Sequence, residues 1–126
     1  MKRNKITLSD DASVCINDCF TVTIMAIQLA VYMGFKEIYL LGCDCNYKAG
    51  KSHFIEGEWD KKNRGKKWLD TAVARSINGY IEAKKFTDAH GVKVFNSTRG
   101  GMLEVFPRKS LEDVLAEPAP GQGKNN

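Results

Sequence analysis

The sequence lacks an excess of charge of one sign. Its net charge of +4 is far below the dense basic stripe of a dedicated nucleic-acid-binding protein, so we expect no nucleic-acid partner. With 126 residues it is also too short for two domains. Apolar and charged fractions of 43% and 27% are typical of one soluble globular domain. We place this domain at residues 1–116 and predict a disordered tail at residues 117–126.

The sequence also lacks a recognisable secretory signal. The N-terminal segment, residues 1–11, carries several charges and is not followed by an apolar segment with a small-residue cleavage site. This pattern predicts a cytoplasmic location. The longest uncharged run, residues 19–35, has the minimum length of a membrane span but contains Thr21, Thr23 and Gln28. We interpret this run as a buried helix.

Cysteine does not form the usual metal motif. The four cysteines make a C-x3-C pair, Cys15 and Cys19, and a C-x-C pair, Cys43 and Cys45. Four thiolates could bind zinc, but neither pair has C-x2-C spacing and each lies in or beside an apolar segment. Reduced thiols are therefore the favoured interpretation, and no metal or other cofactor is expected.

Hydrophobic periodicity predicts a first helix from about Phe20 to Met33. Asn17 or Asp18 is expected to cap it, and Gly34 to end it. Because the helix is apolar nearly all round, we expect it to be buried on most sides.

Two apolar strands flank a second helix, which is amphipathic. The strands are predicted at Ile38–Leu41 and Val92–Phe95, and the helix between them at about Trp68–His90. Shorter strands are predicted at Ala12–Ile16 and Met102–Phe106. Alternation of strands and helices without a hairpin signal predicts an α/β fold, a three-layer Rossmann-like domain with a mostly parallel sheet. A last helical turn, capped by a serine, is expected before the tail.

Three segments of this fold should converge at one sheet edge, because ligands bind outside the carboxyl ends of parallel strands. The start of the first helix carries Thr21 and Thr23, where free N–H groups and the helix dipole favour a phosphate. The segment CDCNY carries Asp44 and Asn46. A helix cap for Thr21, and a simple turn for the other two, are the alternatives.

The third segment, NSTRGG, follows the later strand. It offers groups that suit a phosphate or a carboxylate: Asn96, Ser97, Thr98 and Arg99. His53, in the long loop, has aromatic and acidic neighbours and could be a general base or an ordinary surface residue. The basic stretch Lys61–Lys67 is most simply a solvated loop, with contact to an acidic sugar, a nucleotide or a membrane surface as the alternative.

Several runs together resemble a known group of enzymes. FTVTIMAIQLAVYMGFKEIYLLGCDCNY, a following His-Phe pair and GVKVFNSTRGGMLEVFPR resemble the C-terminal half of a bacterial glycan-biosynthesis family. It includes the α-2,3-sialyltransferases of the Campylobacter type and relatives related to 6-hydroxymethylpterin diphosphokinase and motility accessory factors. The resemblance covers most of residues 5–115. It implies a Rossmann-like domain that transfers sugar from a CMP-sialic acid-like donor to a glycan acceptor in surface polysaccharide or lipooligosaccharide synthesis, without a metal.

The resemblance also implies roles for single residues. Thr21 falls on a serine that contacts the nucleotide, and Asn46 on a tyrosine that assists the departing phosphate, with Tyr47 one place later. His53 is the substitute candidate for the base, since the histidine position of the family is unoccupied. The Gly-Asn-Gly-Pro-type loop that cradles the nucleotide has no counterpart, which implies an incomplete domain with weak activity.

Two further readings remain open at this point. A diphosphokinase-like enzyme would transfer pyrophosphate to a pterin, and Asp44 would then bind Mg²⁺ with the nucleotide phosphates. A non-catalytic remnant would only bind a partner. Peripheral membrane association and a homo-oligomer are both compatible with the sequence.

Overall fold

The computed structural model describes residues 6–46 and 66–118, without the side chains of residues 66–70. Within these ranges the chain forms a small α/β domain, which confirms the predicted class. Its elements are α1 (Val22–Tyr32), β1 (Glu37–Leu40), α2 (Lys66–Ala89), β2 (Lys93–Asn96) and α3 (Leu111–Ala116). All five lie within a few residues of the predicted helices and apolar strands.

β1 and β2 lie parallel in one sheet, as predicted. Leu40 is in register with Asn96, and the N–H of Ser97 extends the ladder by donating to the Leu40 carbonyl at 2.8 Å. Parallel neighbours require a crossover, and this one includes the 24-residue helix α2. In the described part of the chain the sheet has two strands, and Arg108 makes a parallel bridge to Asn96.

The core lies where α1, α2 and the sheet meet. α1 packs against α2, and α2 packs against β2. The rings of Tyr80 and Phe106 meet edge to face with their centroids 6.0 Å apart, a favourable aromatic arrangement. The buried apolar residues include Ile24, Ile27, Leu40, Tyr80, Ala83, Val94, Leu103 and Phe106.

A buried glutamine ties the N-terminal segment to α1. The Oε1 atom of Gln28 accepts hydrogen bonds from the N–H groups of Ser9 (2.9 Å) and Asn17 (3.3 Å). Its Nε2 atom donates to the Asn17 carbonyl at 2.7 Å. Because both ends of the amide are paired, the cost of burying it is offset.

The cap and the burial of α1 differ from expectation. Thr21 caps the helix rather than Asn17 or Asp18: its backbone is extended, and its side-chain oxygen accepts from the N–H of Thr23 at 3.2 Å. The helix ends as predicted, before Gly34 at φ 88°.

The prediction that α1 is buried on most sides is wrong. Ile24, Ile27 and Gln28 are buried, whereas Val22 and Leu29 on the opposite side are exposed. No helix among the described residues is both long enough and apolar enough to cross a membrane.

Neither of the two shorter predicted strands is formed. Ala12–Ile16 belongs to a turn, in which the N–H of Val14 donates to the Asp11 carbonyl at 3.1 Å. Met102–Phe106 is irregular, and its first N–H donates to the carbonyl of Asp44 rather than to a strand. Leu103 and Phe106 of the second segment belong to the core without forming a ladder, whereas Val14 of the first is 78% exposed.

The last helix is confirmed. Ser110 caps α3, accepting from the N–H of Asp113 at 3.0 Å. The described residues end at Pro118, so the predicted tail lies almost entirely outside them.

Candidate functional site

The loops that follow β1 and β2 are tied together at the carboxyl edge of the sheet. The hydroxyl of Thr98 accepts from the N–H of Cys43 at 3.0 Å and donates to the Leu40 carbonyl at 3.4 Å. Further along the same two loops, the Asp44 carbonyl accepts a hydrogen bond from the N–H of Met102 at 2.6 Å. The two predicted loop segments therefore meet, as the position of parallel strand ends requires.

The side chain of Asn96 fixes the shape of the loop after β2 through two hydrogen bonds. Its Oδ1 atom accepts from the N–H of Thr98 at 3.0 Å, and its Nδ2 atom donates to the Leu103 carbonyl at 2.8 Å. Asn96 and Thr98 are both buried, and their polar atoms are engaged in these contacts. Their ligand-binding role stays a prediction, and their evident role is to shape the loop.

Arg108 shapes the same loop from the other side. Its Nη1 atom donates to the carbonyls of Thr98 (3.1 Å) and Gly100 (2.8 Å), and its Nη2 atom to Gly101 (3.4 Å). Glu104 fixes the guanidinium with a forked pair, both carboxylate oxygens lying 3.1 Å from Nε. Arg108 lowers the pKa of Glu104, chiefly through this hydrogen bond.

The hydrogen bonds from Arg108 to these carbonyls also set the direction of the N–H groups in the loop. A peptide unit is planar and trans, so its N–H points away from its C=O. The N–H groups of Arg99 and Gly101 share peptide units with the carbonyls of Thr98 and Gly100, and they point away from Arg108. Gly101 has φ 75°, and a Cβ there would lie 2.8 Å from the Asp44 backbone, which requires glycine.

The N-terminus of α1 reaches the same edge through Tyr80. This buried residue of α2 lies near the side chains of Thr21 and Thr23, and Thr23 in turn lies near Cys43. Burial raises the pKa of Tyr80 to about 12, although the two threonines act to lower it. The phenol is therefore a neutral hydrogen-bonding group at physiological pH.

The thiols beside Tyr80 are also neutral. Burial raises the pKa of Cys45 to about 11, and burial likewise raises the pKa values of Cys43 and Cys19. A thiolate is the reactive and metal-binding form, so these groups are poorly suited to either task. No cluster of His, Cys, Asp or Glu that could hold a metal ion occurs in residues 6–46 and 71–118.

Phe20 is an aromatic residue with a strained backbone, next to the start of α1. Phe20 immediately precedes the cap Thr21, has φ 73°, and leaves its ring exposed. A left-handed backbone is a genuine outlier for so bulky a residue. The guanidinium carbon of Arg75 lies 5.8 Å from the ring centroid, within cation–π range.

The other predicted site residues differ in their exposure to solvent. Asp44 and Asn46 are exposed on the loop after β1. Ser97 is buried, and its hydroxyl has no hydrogen-bond partner in the described part of the chain. Arg99 is exposed and pairs with Glu112 in the first turn of α3.

Tyr47 and His53 lie outside the described residues, as does most of the long loop. Their proposed roles as leaving-group and base residues stay predictions.

Sequence reasoning missed the importance of Tyr80 and Arg108. The sequence predicts an apolar stripe on α2, and Tyr80 is its one member with a hydroxyl; the stripe consists of Leu69, Val73, Ile77, Tyr80, Ala83 and Phe86. Arg108 gave no comparable signal, because an arginine after a proline is common at surfaces.

Comparisons of the chain with protein-family models, with curated proteins and with solved structures found no match in any of the three. Functional inference therefore rests on the residues above and on the sequence resemblance.

Proposed function

We propose that the chain is a glycosyltransferase-type domain that uses a CMP-sugar donor, on a three-layer Rossmann-like architecture. The observation that carries the proposal is the convergence of the α1 start with the loops after both strands. Ligands of open α/β sheets bind at this place. The sequence resemblance to sialyltransferase-like enzymes supports a nucleotide-activated sugar as the ligand.

Backbone groups would bind the donor phosphate. The dipole of α1 would favour an anion at the start of the helix, and the N–H groups of Arg99 and Gly101 point away from Arg108. The Thr21 oxygen accepts from the Thr23 N–H, and its hydroxyl proton would turn from the neighbouring Tyr80 to a ligand oxygen. The exposed ring of Phe20 offers a face on which the nucleobase would stack.

Transfer would break the bond between the anomeric carbon and the phosphate oxygen of CMP. An acceptor hydroxyl would attack that carbon and lose its proton to His53, the proposed base. Asn46 and Tyr47 would donate hydrogen bonds to the departing phosphate. We expect weak transfer by residues 1–126, because no counterpart of the nucleotide-cradling loop is found in the sequence.

A matched pair of variants at one position tests nucleotide binding. Thr21→Asp keeps an N-cap oxygen, since aspartate is among the best capping residues, but places a negative charge beside the proposed phosphate. Thr21→Ser keeps both the cap and the proton. Saturating CMP without metal should raise the melting temperature of the wild-type protein and of Thr21→Ser, because a ligand that binds only the native state stabilises it.

The same rise should be absent in Thr21→Asp, whose melting temperature without ligand should stay close to that of the wild type. Stabilisation by ATP only when Mg²⁺ is present would instead favour the diphosphokinase-like alternative, in which the exposed Asp44 takes part in metal binding. No response to either nucleotide would contradict both and leave the non-catalytic binding remnant.

A further inference from the structure

The middle of α2 contains two adjacent residues that disfavour a helix. Asn78 and Gly79 lie well inside this 24-residue helix. Both residue types have low helix propensity, and Asn-Gly is ordinarily the sequence of a turn. They form the one Asn-Gly pair in the sequence. Such a conflict between local sequence and local structure is expected where the residues serve another purpose.

Packing accounts for the glycine but not for the asparagine. Gly79 is buried, and a Cβ there would lie 2.6 Å from the carbonyl oxygen of Cys19 and 2.7 Å from Cδ1 of Ile24. No larger residue fits without a shift of the backbone. Asn78 is exposed, so packing makes no such demand on it. What distinguishes Asn78 is therefore its chemistry beside a glycine.

An asparagine followed by glycine can react with its own main chain, because glycine has no Cβ to hinder the attack. The main-chain nitrogen of Gly79 gives up its proton and forms a bond to Cγ of Asn78. The bond between Cγ and Nδ2 then breaks, and Nδ2 takes up a proton and leaves as ammonia. Water opens the cyclic imide. Opening at Cγ gives aspartate, and opening at the main-chain carbonyl carbon gives isoaspartate. The net reaction consumes one water, releases one ammonia and needs no oxidant.

The closed helix prevents this reaction. Ring closure requires the backbone of Asn78 to leave the helical conformation. The attacking N–H of Gly79 must also lose its proton, although an α-helix pairs it with the carbonyl four residues earlier, here that of Arg75. The close contact of Gly79 with Cys19 leaves the backbone no room to turn. Attack therefore has to wait until α2 opens locally.

We propose that Asn78 is a modification site, at which the chain deamidates spontaneously when α2 opens, and that the isoaspartate formed prevents α2 from closing again. Isoaspartate continues the main chain through its side-chain carbons and so inserts an extra methylene before Gly79. The hydrogen bonds that span this point lose their helical register. Gly79 and Tyr80 can then no longer occupy their buried positions together. The site makes opening of α2 irreversible, and it does not depend on the proposed nucleotide site.

Peptide mass mapping of the full chain tests the site. The protein is held in mildly alkaline buffer, with and without an unfolding concentration of guanidinium chloride. Without denaturant, deamidation of Asn78 should be about 100-fold slower or more, as expected of a group that reacts only in an open state. Exposed Asn46, which precedes the bulky Tyr47, is the internal control and should react far more slowly than Asn78 in denaturant. Equal rates at Asn78 in both buffers would overturn protection by α2, and no reaction in denaturant would overturn the site.

Refolding tests the consequence. The deamidated chain is separated from the unmodified chain, and the denaturant is then removed. The isoaspartyl chain should not recover the helical circular dichroism of the native protein. Asn78→Asp, which has the same charge on a normal main chain, should recover it, as should Asn78→Gln after the same incubation. Full recovery by the isoaspartyl chain would overturn the block, and failure of Asn78→Asp would show that the charge rather than the main chain is the cause.

Discussion

The hydroxyl of Thr98 accepts a hydrogen bond from the N–H of Cys43 at 3.0 Å, across a sequence separation of 55 residues. The same hydroxyl donates to the Leu40 carbonyl. One buried side chain thus holds together the ends of both strands and fixes the spacing of the loops at the candidate site.

Replacing Thr98 by valine keeps its shape and removes both hydrogen bonds. The N–H of Cys43 then loses its acceptor, and because this donor is partly buried, the cost is at most that of a fully buried one, about 1–3 kcal/mol. We expect urea unfolding of Thr98→Val to show a loss within this limit. Thr98→Ser retains the hydroxyl and should lose less, while Thr7→Val at an exposed threonine should change little. Equal stabilities of Thr98→Val and Thr7→Val would contradict the proposed tie.

Gly79 of α2 packs closely against the segment before α1. A Cβ at this position would lie 2.6 Å from the carbonyl oxygen of Cys19 and 2.7 Å from Cδ1 of Ile24. Gly79→Ala should therefore destabilise the protein by about 1–3 kcal/mol, even though alanine is the better helix former.

Asn78→Ala is the matched control on the same helix. Asn78 is exposed, so alanine there should be neutral or slightly stabilising. Denaturant unfolding of the two variants compares them directly. A gain in stability for Gly79→Ala would show that the two segments are not in close contact in solution.

The pair of Glu104 and Arg108 should make stability depend on pH. Since the folded protein holds the pKa of Glu104 below its usual value near 4.5, the pair stabilises the protein above that pH. The contribution is lost as the pH falls through the lowered pKa. Glu104→Gln should thus lower the melting temperature at neutral pH, and the difference from wild type should vanish in acid.

Glu82→Gln, which removes an exposed pair with Lys85, serves as the control and should have little effect at any pH. A difference between Glu104→Gln and wild type that persists unchanged into acid would show that the charge of Glu104 is not the cause.

Phe20 should contribute to nucleotide binding through its ring. Stacking on an aromatic side chain is worth about 1–3 kcal/mol per base, so Phe20→Leu should weaken CMP binding about tenfold or more. Binding of ribose 5-phosphate, which has no base, should be unchanged, as calorimetry can measure. Phe35→Leu, at an exposed aromatic after α1, should affect neither ligand. Equal loss of both ligands in Phe20→Leu would point to a shift of the helix start rather than to stacking.

The elements of this fold follow closely from local sequence patterns. The apolar runs at residues 38–41 and 92–95 predicted both strands, and the glycines at 34 and 91 follow the helices as expected. Local patterns were less informative for the run at residues 102–106. Its hydrogen bonds go to distant groups, and no periodicity can encode that choice.

The meeting of the two loops was predicted, but their hydrogen-bond partners were not. Asp44 and Thr98 do come to one edge of the sheet, because parallel strands place their carboxyl ends together. Which polar groups remain for a ligand depends on partners outside the segment itself, such as Arg108 and Leu103. The cap of α1 was mispredicted for the same reason. Asn17 is a residue type that favours a helix cap, but its backbone N–H and carbonyl are bonded to the side chain of Gln28.

The parallel pairing of β1 with β2 has a consequence for the order of folding. Glu37 pairs with Lys93, so the first ladder contact closes a long stretch of chain. Closure of such a loop costs entropy before any strand contact can repay it, whereas the hydrogen bonds of α2 are local. We therefore expect α2 to gain structure early and the sheet to form late. The loops of the candidate site, which depend on both strand ends, would then acquire their shape only in the last step of folding.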